Sequence, residues 1–268
     1  MAKDFSTISP SAVSLLMLKS LSNIPYACSA ATYMFGTGAV QQFKNSAQFN
    51  RVSAARLFHF ENRYATVDEA LQKTGISNII EISSGFSFRG LEMCKQAGVN
   101  YIDTDLPGII TIKEDVIQHI ENSLPFGYLL KALNVLDEDA FFSAASQLPA
   151  GPLAIINEGL LVYLNAEEKA MLCSIIHKIL QQKDGCWITG DIYIRHKNEN
   201  AFFDERTRQF FEAHNVEENK FAGFEAAENF FNTHGFKIAE RLVRSKTFYA
   251  QQDNAPHYRE TWVLKPVN

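Results

Sequence analysis

Residues 79–90 read Ile-Ile-Glu-Ile-Ser-Ser-Gly-Phe-Ser-Phe-Arg-Gly, and residues 101–107 read Tyr-Ile-Asp-Thr-Asp-Leu-Pro. The first apolar run carries an acid, Glu81, and gives way to three small residues, Ser83, Ser84 and Gly85. A helix is predicted next. The second run ends in Asp103 and Asp105. Strand, tight turn, helix and strand in this order form the unit that holds a nucleoside-bearing cofactor. Small residues let the backbone bend sharply and let a ligand come close. The helix that follows points unpaired N–H groups at the ligand. A carboxylate at the tip of the second strand can accept hydrogen bonds from ribose hydroxyls. The spacing is not G-x-G-x-x-G, because Ser83 leaves one glycine of the first pair and Phe88 fills the third position. A pyrophosphate needs those glycines, and a cofactor without phosphate does not. The residues therefore favour S-adenosylmethionine over NAD, with a ligand-free βαβ unit as the alternative.

The 268 residues suit one α/β domain with embellishments, and 46% apolar residues allow a large core. The 21 phenylalanines supply extra core or line a cap. A net charge of −5 with scattered Lys and Arg gives no nucleic-acid footprint. Cys28, Cys94, Cys173 and Cys186 lie far apart without a C-x-x-C pair, the pattern of reduced thiols in a cytoplasmic protein. The histidines show no metal-ligand spacing, so no metal is expected. No apolar run reaches the ~20 residues of a membrane span. Ala12–Leu18 and the small residues Ala27–Ala31 faintly resemble an export signal, but Asp4 offsets Lys3 and the run between Pro10 and Lys19 is short.

Residues 1–75 read as a helical cap. Ser9-Pro10-Ser11 starts a helix, Gly36-Thr37-Gly38 interrupts the pattern, and Arg51–Leu71 resumes it. Residues 76–194 read as a cofactor-binding core of alternating strands and helices. Its strands are predicted at Asn78–Ile82, Val99–Thr104, Gly127–Leu133, Pro152–Asn157 and Cys186–Ile194. Its helices are predicted at Phe86–Ala97, from Pro107 to Glu121, at Asp137–Gln147, and from a capping box at Asn165 and Glu168 to Gln182. Residues 195–234 are charged and carry Phe202, Phe203, Phe210, Phe211, Phe221, Phe224, Phe230 and Phe231, which suggests two helices inserted as a lid over a pocket. Residues 235–268 close the fold with strands at Phe236–Leu242 and Glu260–Lys265, the last an antiparallel edge. The whole is one α/β domain with a Rossmann-like seven-stranded sheet and helices on both faces.

Residues 155–164 read Ile-Ile-Asn-Glu-Gly-Leu-Leu-Val-Tyr-Leu. Glu158 leaves the fourth strand at its carboxyl end, where α/β sheets bind ligands, and would face the same crevice as Ser83 and Asp105. A carboxylate there is costly without a cation or a donor. A sulfonium or an α-amino group would supply one; water or a nearby arginine is the alternative. The stretch resembles the E-G-L-L-x-Y-L signature of the leucine carboxyl methyltransferase family, which includes protein-phosphatase methyltransferases and polyketide-type O-methyltransferases. Arg63, in Glu-Asn-Arg-Tyr-Ala-Thr-Val-Asp, resembles the family's arginine ahead of the first strand. Ile79–Gly90 is similar to its glycine loop and Tyr101–Pro107 to its E-V-D-x-P motif. Ser9–Ala12 and Ile24-Pro25 fit its N-terminal helices. The motifs cover roughly residues 8–182, and element order covers the rest.

The resemblance implies a seven-stranded S-adenosylmethionine-dependent methyltransferase with an N-terminal helical cap. Arg63 would meet the cofactor's carboxylate, and Ser83 and Gly85 its methionine part. Asp105 would take the ribose hydroxyls. Leu133 and Asn134 would lie near the adenine, and Glu158 at the amino or sulfonium end. Glu81 completes the cofactor-binding set. Ser83 replaces a family glycine, Ala132-Leu133-Asn134 lacks the family's acid, and Cys28-Ser29 stands near a family Asp.

Methyl transfer from a sulfonium is an in-line displacement, so a protein mainly aligns the partners and excludes water. A carboxylate acceptor is ionised near pH 7 and needs no base, whereas a hydroxyl usually does. No residue is assigned as catalytic. Tyr163, Asp191 and Arg195 are acceptor-side candidates, with His196 beside them. The expected function is O-methylation of a carboxylate or hydroxyl on a small molecule or a protein C-terminus, with no nucleic acid or membrane as partner. The alternatives are an NAD-dependent oxidoreductase, against which Ser83 and Phe88 argue, and a non-catalytic relative acting through its Phe-rich insert.

Overall fold

The computed structural model describes residues 9–45, 51–196, 205–245 and 257–267. Phe202 and Phe203 of the Phe-rich stretch lie outside the described residues. One seven-stranded mixed sheet carries the fold, in the order β3-β2-β1-β4-β5-β7-β6. Strands β1 (Asn78–Ile82), β2 (Asn100–Asp105), β3 (Tyr128–Ala132), β4 (Leu153–Asn157) and β5 (Gly185–Tyr193) run parallel. β6 (Phe236–Leu242) and β7 (Arg259–Pro266) follow. Every residue of β1 and β4 is buried, as expected of central strands covered on both faces. Alternate side chains feed two cores. Ile80, Ile155 and Trp187 enter one, and Ile79, Ile156 and Ile188 the other.

The last strand corrects the sequence expectation. β7 is antiparallel, but it lies between β5 and β6 and is not an edge. Its first six residues are all buried, whereas β6 alternates buried and exposed positions as an edge strand does.

Helices α1 (Ser9–Lys19), α2 (Ala27–Phe35), α3 (Thr37–Asn45) and α4 (Arg51–Thr74) precede the first strand. Val67 and Leu71 of α4 are buried in the core shared with Ile79. Helix α5 (Arg89–Met93) is much shorter than the predicted Phe86–Ala97. Phe86 and Phe88 are buried in the turn before it. Helix α6 (Pro107–Ile120) starts on a proline, whose fixed φ suits the first turn. Helix α7 (Glu138–Ala145) is capped by Asp137, and α8 (Ala166–Lys183) carries the predicted capping box of Asn165 and Glu168.

The stretch after β5 forms α9 (Glu205–Ala213), α10 (Val216–Asn219) and α11 (Phe224–Thr233), where two helices were expected. Phe231 of α11 packs against Trp187 and Trp262, with ring centroids 5.5 and 6.0 Å apart.

Gly90 lets α5 press onto the sheet. A Cβ there would stand 2.5 Å from Tyr101 Cδ1 and 2.6 Å from Tyr128 Cε2. Gly90→Ala should therefore destabilise the protein by about 1–3 kcal/mol. Gly38 has open space around it, and Gly38→Ala should add about 0.5–1 kcal/mol. Urea denaturation of the two variants checks both signs.

Candidate cofactor and acceptor site

β2, β1 and β4 are neighbours and parallel, so Asp105, Ser83 and Glu158 emerge along one carboxyl edge of the sheet. The turn after β1 is left-handed at Ser83 (φ 51°) and Gly85 (φ 52°). A side chain at Ser83 tolerates this only because the surroundings fix it. Ser84 N donates to Thr104 O (2.9 Å) and Gly85 N to Asp105 Oδ2 (2.7 Å). Leu106 N donates to Asp105 Oδ1 (2.7 Å). Asp105 thus clamps the turn, and each oxygen keeps a lone pair for a ribose hydroxyl. Burial raises its pKa, and the two backbone donors oppose that.

Beneath the turn lies a lattice of buried charge. Arg89 is 1% exposed. It donates from Nη1 to Glu81 Oε1 (2.6 Å), from Nε to Asp68 Oδ1 (2.5 Å) and from Nη2 to Glu158 Oε1. The Tyr64 ring lies 4.0 Å from its guanidinium carbon. Arg63 donates from Nε to Glu158 Oε2 (3.2 Å) and from Nη1 to the Tyr193 hydroxyl (3.1 Å). Glu81 also accepts from the Tyr101 hydroxyl (2.6 Å) and Ser87 Oγ (3.2 Å). Burial would raise the Glu158 pKa, but Arg89, Arg63 and Lys19 hold it down at about 2. Both Glu158 oxygens are held by guanidinium groups, which is the arginine pairing the sequence left open. Arg89 was missed as a functional residue. The available signal was its charge inside an otherwise apolar segment.

Helix α1 lies over the turn: a Cβ on Gly85 would stand 3.4 Å from Ala12 Cβ. The Tyr163 hydroxyl is 3.5 Å from Ser11 Oγ of the same helix. At the end of α1, Lys19 is 6% exposed. Its Nζ has no hydrogen-bond partner among the described residues. Burial first, then Arg63 and Arg89, lower its pKa to about 8, against the pull of Glu158 and Glu81. A buried ammonium without an acceptor suits an anionic ligand group. Sequence reading missed Lys19 because a lysine closing an apolar helix looks like a solvated cap.

The other predicted residues divide. Asp191 accepts from the backbone N–H groups of Gly159 (2.6 Å), Leu160 (2.6 Å) and Leu161 (3.2 Å), and from Asn157 Nδ2 (2.7 Å). It anchors the loop that carries Glu158. Leu133 is buried and donates its N–H to Asp105 O (2.8 Å). Asn134 is exposed, and its Oδ1 accepts from Leu136 N (3.1 Å). Arg195 is exposed and donates to Glu218 O (2.7 Å). His196 is also exposed. Arg63, Glu81, Ser83, Gly85, Asp105 and Glu158 are brought to one edge, with Tyr163 and Asp191 beside them.

These residues fit S-adenosylmethionine. A carboxylate suits the ribose, a tight turn admits a close approach, and an unpaired ammonium suits a carboxylate. The profile of the leucine carboxyl methyltransferase family matches residues 12–177. The chain belongs to the leucine carboxyl methyltransferase family. Its members use S-adenosylmethionine, so this chain is a methyltransferase with that cofactor. No curated protein matches the chain in sequence.

Solved structures agree on the fold of this family member. A provisionally assigned methyltransferase from Thermobifida fusca YX superposes with TM-score 0.59 at 12% identity, covering 96% of this chain and 94% of that one. A DUF574 family protein from Streptomyces avermitilis MA-4680 gives 0.58 at 14%, covering 94% and 97%. The S-adenosylmethionine-dependent methyltransferase SibL gives 0.51 at 9%, covering 87% and 60%. The chain thus spans less than two thirds of SibL, and it spans 43% of the LepI chain.

Removing Arg89 would leave Glu81 and Glu158 buried with less compensation. Arg89→Met should cost about 3–5 kcal/mol. Thermal or urea unfolding measures it, with Lys95→Met, an exposed residue, as the neutral control.

Proposed function

We propose that the protein is an S-adenosylmethionine-dependent O-methyltransferase acting on a carboxylate or hydroxyl of a small molecule or a protein C-terminus. The observation that carries the reading is the convergence of Asp105, the Ser83–Gly85 turn and the unpaired Lys19 at one sheet edge. Bound there, S-adenosylmethionine supplies a sulfonium methyl; the acceptor oxygen's electron pair forms the new C–O bond as the C–S bond breaks and its pair stays on sulfur.

The chain's own residues bind and align. Asp105 accepts from the ribose hydroxyls while holding the turn. Lys19, with Arg63 next to it, holds the methionine carboxylate. Ser83 and Gly85 flank the methionine part, and Glu81 supports it from the strand below through Arg89. Leu133 and Asn134 face the adenine. Glu158 presents a carboxylate whose position Arg89, Arg63 and Asp191 fix. Helix α1 covers the edge and keeps water out. An ionised carboxylate acceptor needs no base.

Tyr163 and the helices after β5 are assigned to the acceptor side. The Tyr163 ring lies 6.3 Å from Phe210 and 6.2 Å from His214 of that insert, which supports a lid. Arg195 serves there by tying β5 to the insert. The NAD reading has no phosphate cradle, since Phe88 is fully buried where a third glycine would stand. A cytoplasmic location rests on the four unpaired cysteines. Among the described residues no helix is long and apolar enough to cross a membrane.

S-adenosylhomocysteine should raise the melting temperature, and Asp105→Ala should abolish most of that rise. No shift with either S-adenosylmethionine or S-adenosylhomocysteine at millimolar levels would sink the reading.

A pH series tests Lys19. Its ammonium is charged below about 8 and attracts a carboxylate. As pH climbs past that value the charge is lost and affinity falls. S-adenosylhomocysteine should bind about tenfold more weakly at pH 10 than at pH 7.5. The ligand's amino group titrates in the same range, so Lys19→Met isolates the protein's share: the variant should bind weakly at pH 7.5 and show a flatter profile.

A further inference from the structure

Arg259 opens β7 and pairs with Tyr193 at the carboxyl end of β5. It is 5% exposed. Nη1 donates to Gly190 O (3.3 Å) and Thr261 Oγ1 (2.8 Å). Nη2 is buried and has no hydrogen-bond partner among the described residues. Arg259 also forms no ion pair among the described residues. A guanidinium is rarely buried with a donor unpaired, because water is lost and nothing replaces it.

Among the described residues the surroundings carry two phenols, an imidazole and a second guanidinium. The Tyr193 hydroxyl lies 2.7 Å from His59 Nε2 and accepts from Arg63 Nη1. The Tyr258 hydroxyl lies 3.2 Å from His59 Nδ1, and the two rings stack at 5.5 Å. Burial first, and then Arg259, Arg63, Lys220 and Arg56, hold the pKa of His59 well below the usual value. The nearby acids are committed. Glu158 is held by Arg89 and Arg63, Asp191 by the backbone of residues 159–161, and Glu217 by Lys220 (2.8 Å).

We propose that Arg259, ringed by His59, Tyr193 and Tyr258, is an oxyanion subsite that receives a carboxylate of the methyl acceptor. A planar carboxylate takes a guanidinium N–H together with phenol or imidazole donors. The subsite lies one guanidinium away from the cofactor edge, since Arg63 bonds Glu158 with Nε and Tyr193 with Nη1. It sits beyond β5, at the carboxyl edge where acceptors of α/β enzymes bind. His59 and Tyr258 are half-buried, and Arg259 is buried. The proposal rests on the methyltransferase reading and adds the charge of the acceptor and the residue that reads it.

The test uses the full chain and benzoate as the probe, with neutral benzamide of the same shape. Melting temperature is followed with saturating S-adenosylhomocysteine and without it. Benzoate should raise it and benzamide should not. Arg259→Gln should weaken apparent benzoate affinity about tenfold, the loss of one charge-assisted bond, and keep the rise due to S-adenosylhomocysteine. Tyr258→Phe and His59→Gln, at half-buried positions, should each weaken benzoate several-fold and answer the question if Arg259→Gln does not fold. Equal shifts from benzamide, or undiminished benzoate binding in these variants, overturn the subsite. Loss of the S-adenosylhomocysteine rise in Arg259→Gln with benzoate binding intact overturns it too. If wild type ignores S-adenosylhomocysteine yet binds benzoate through Arg259, the subsite stands and the methyltransferase reading falls.

Discussion

One guanidinium holds the site together. Arg89 emerges from the turn after β1 and reaches acids on three elements: Glu81 of β1, Asp68 of α4 and Glu158 after β4. Without it, carboxylates from neighbouring strands would face one another out of water at the edge proposed to receive the cofactor. The arrangement also ties α4, which directly precedes β1, to this edge. It delivers Asp68 and the Tyr64 ring to Arg89, and Arg63 to the other side of Glu158. Burying so much charge is weak evidence for stability but fixes geometry, because each partner leaves the next unpaired if it moves.

Much of the architecture was readable from residue order. The apolar runs placed five parallel strands within a residue or two, and the capping box at Asn165 and Glu168 matched α8. Local chemistry dictated these features. Where tertiary contact decides, reading failed. Helix α5 lost its first turn because Phe86 and Phe88 are drawn into the core as part of the bend. β7 was mistaken for an edge because nothing in Arg259–Pro266 reveals that β6 will lie outside it. The site shows the same divide. Asp105 and Glu158 stand at strand ends and were legible from position. Lys19, Arg89 and Arg259 were not, since a lone cation in sequence carries no sign of burial.

The two halves of the crevice differ in how they are built. The side proposed for the cofactor rests on carboxylates that accept from backbone N–H groups, Asp105 from Gly85 and Leu106 and Asp191 from residues 159–161, and on the Arg89 ion pairs beside them. The side beyond β5 rests on side chains: His59, Tyr193, Tyr258 and the phenylalanines of α9 and α11.

The position of β7 has a consequence for how the chain is made. Among the described residues, β6 pairs with β7 alone, and the outer side of β5 pairs with β7 alone. During synthesis β6 is therefore completed with no neighbour to bind, and β5 presents an open flank. Until the residues from 259 onward appear, the nascent sheet ends in an unsealed strand, the state in which such chains are most exposed to self-association.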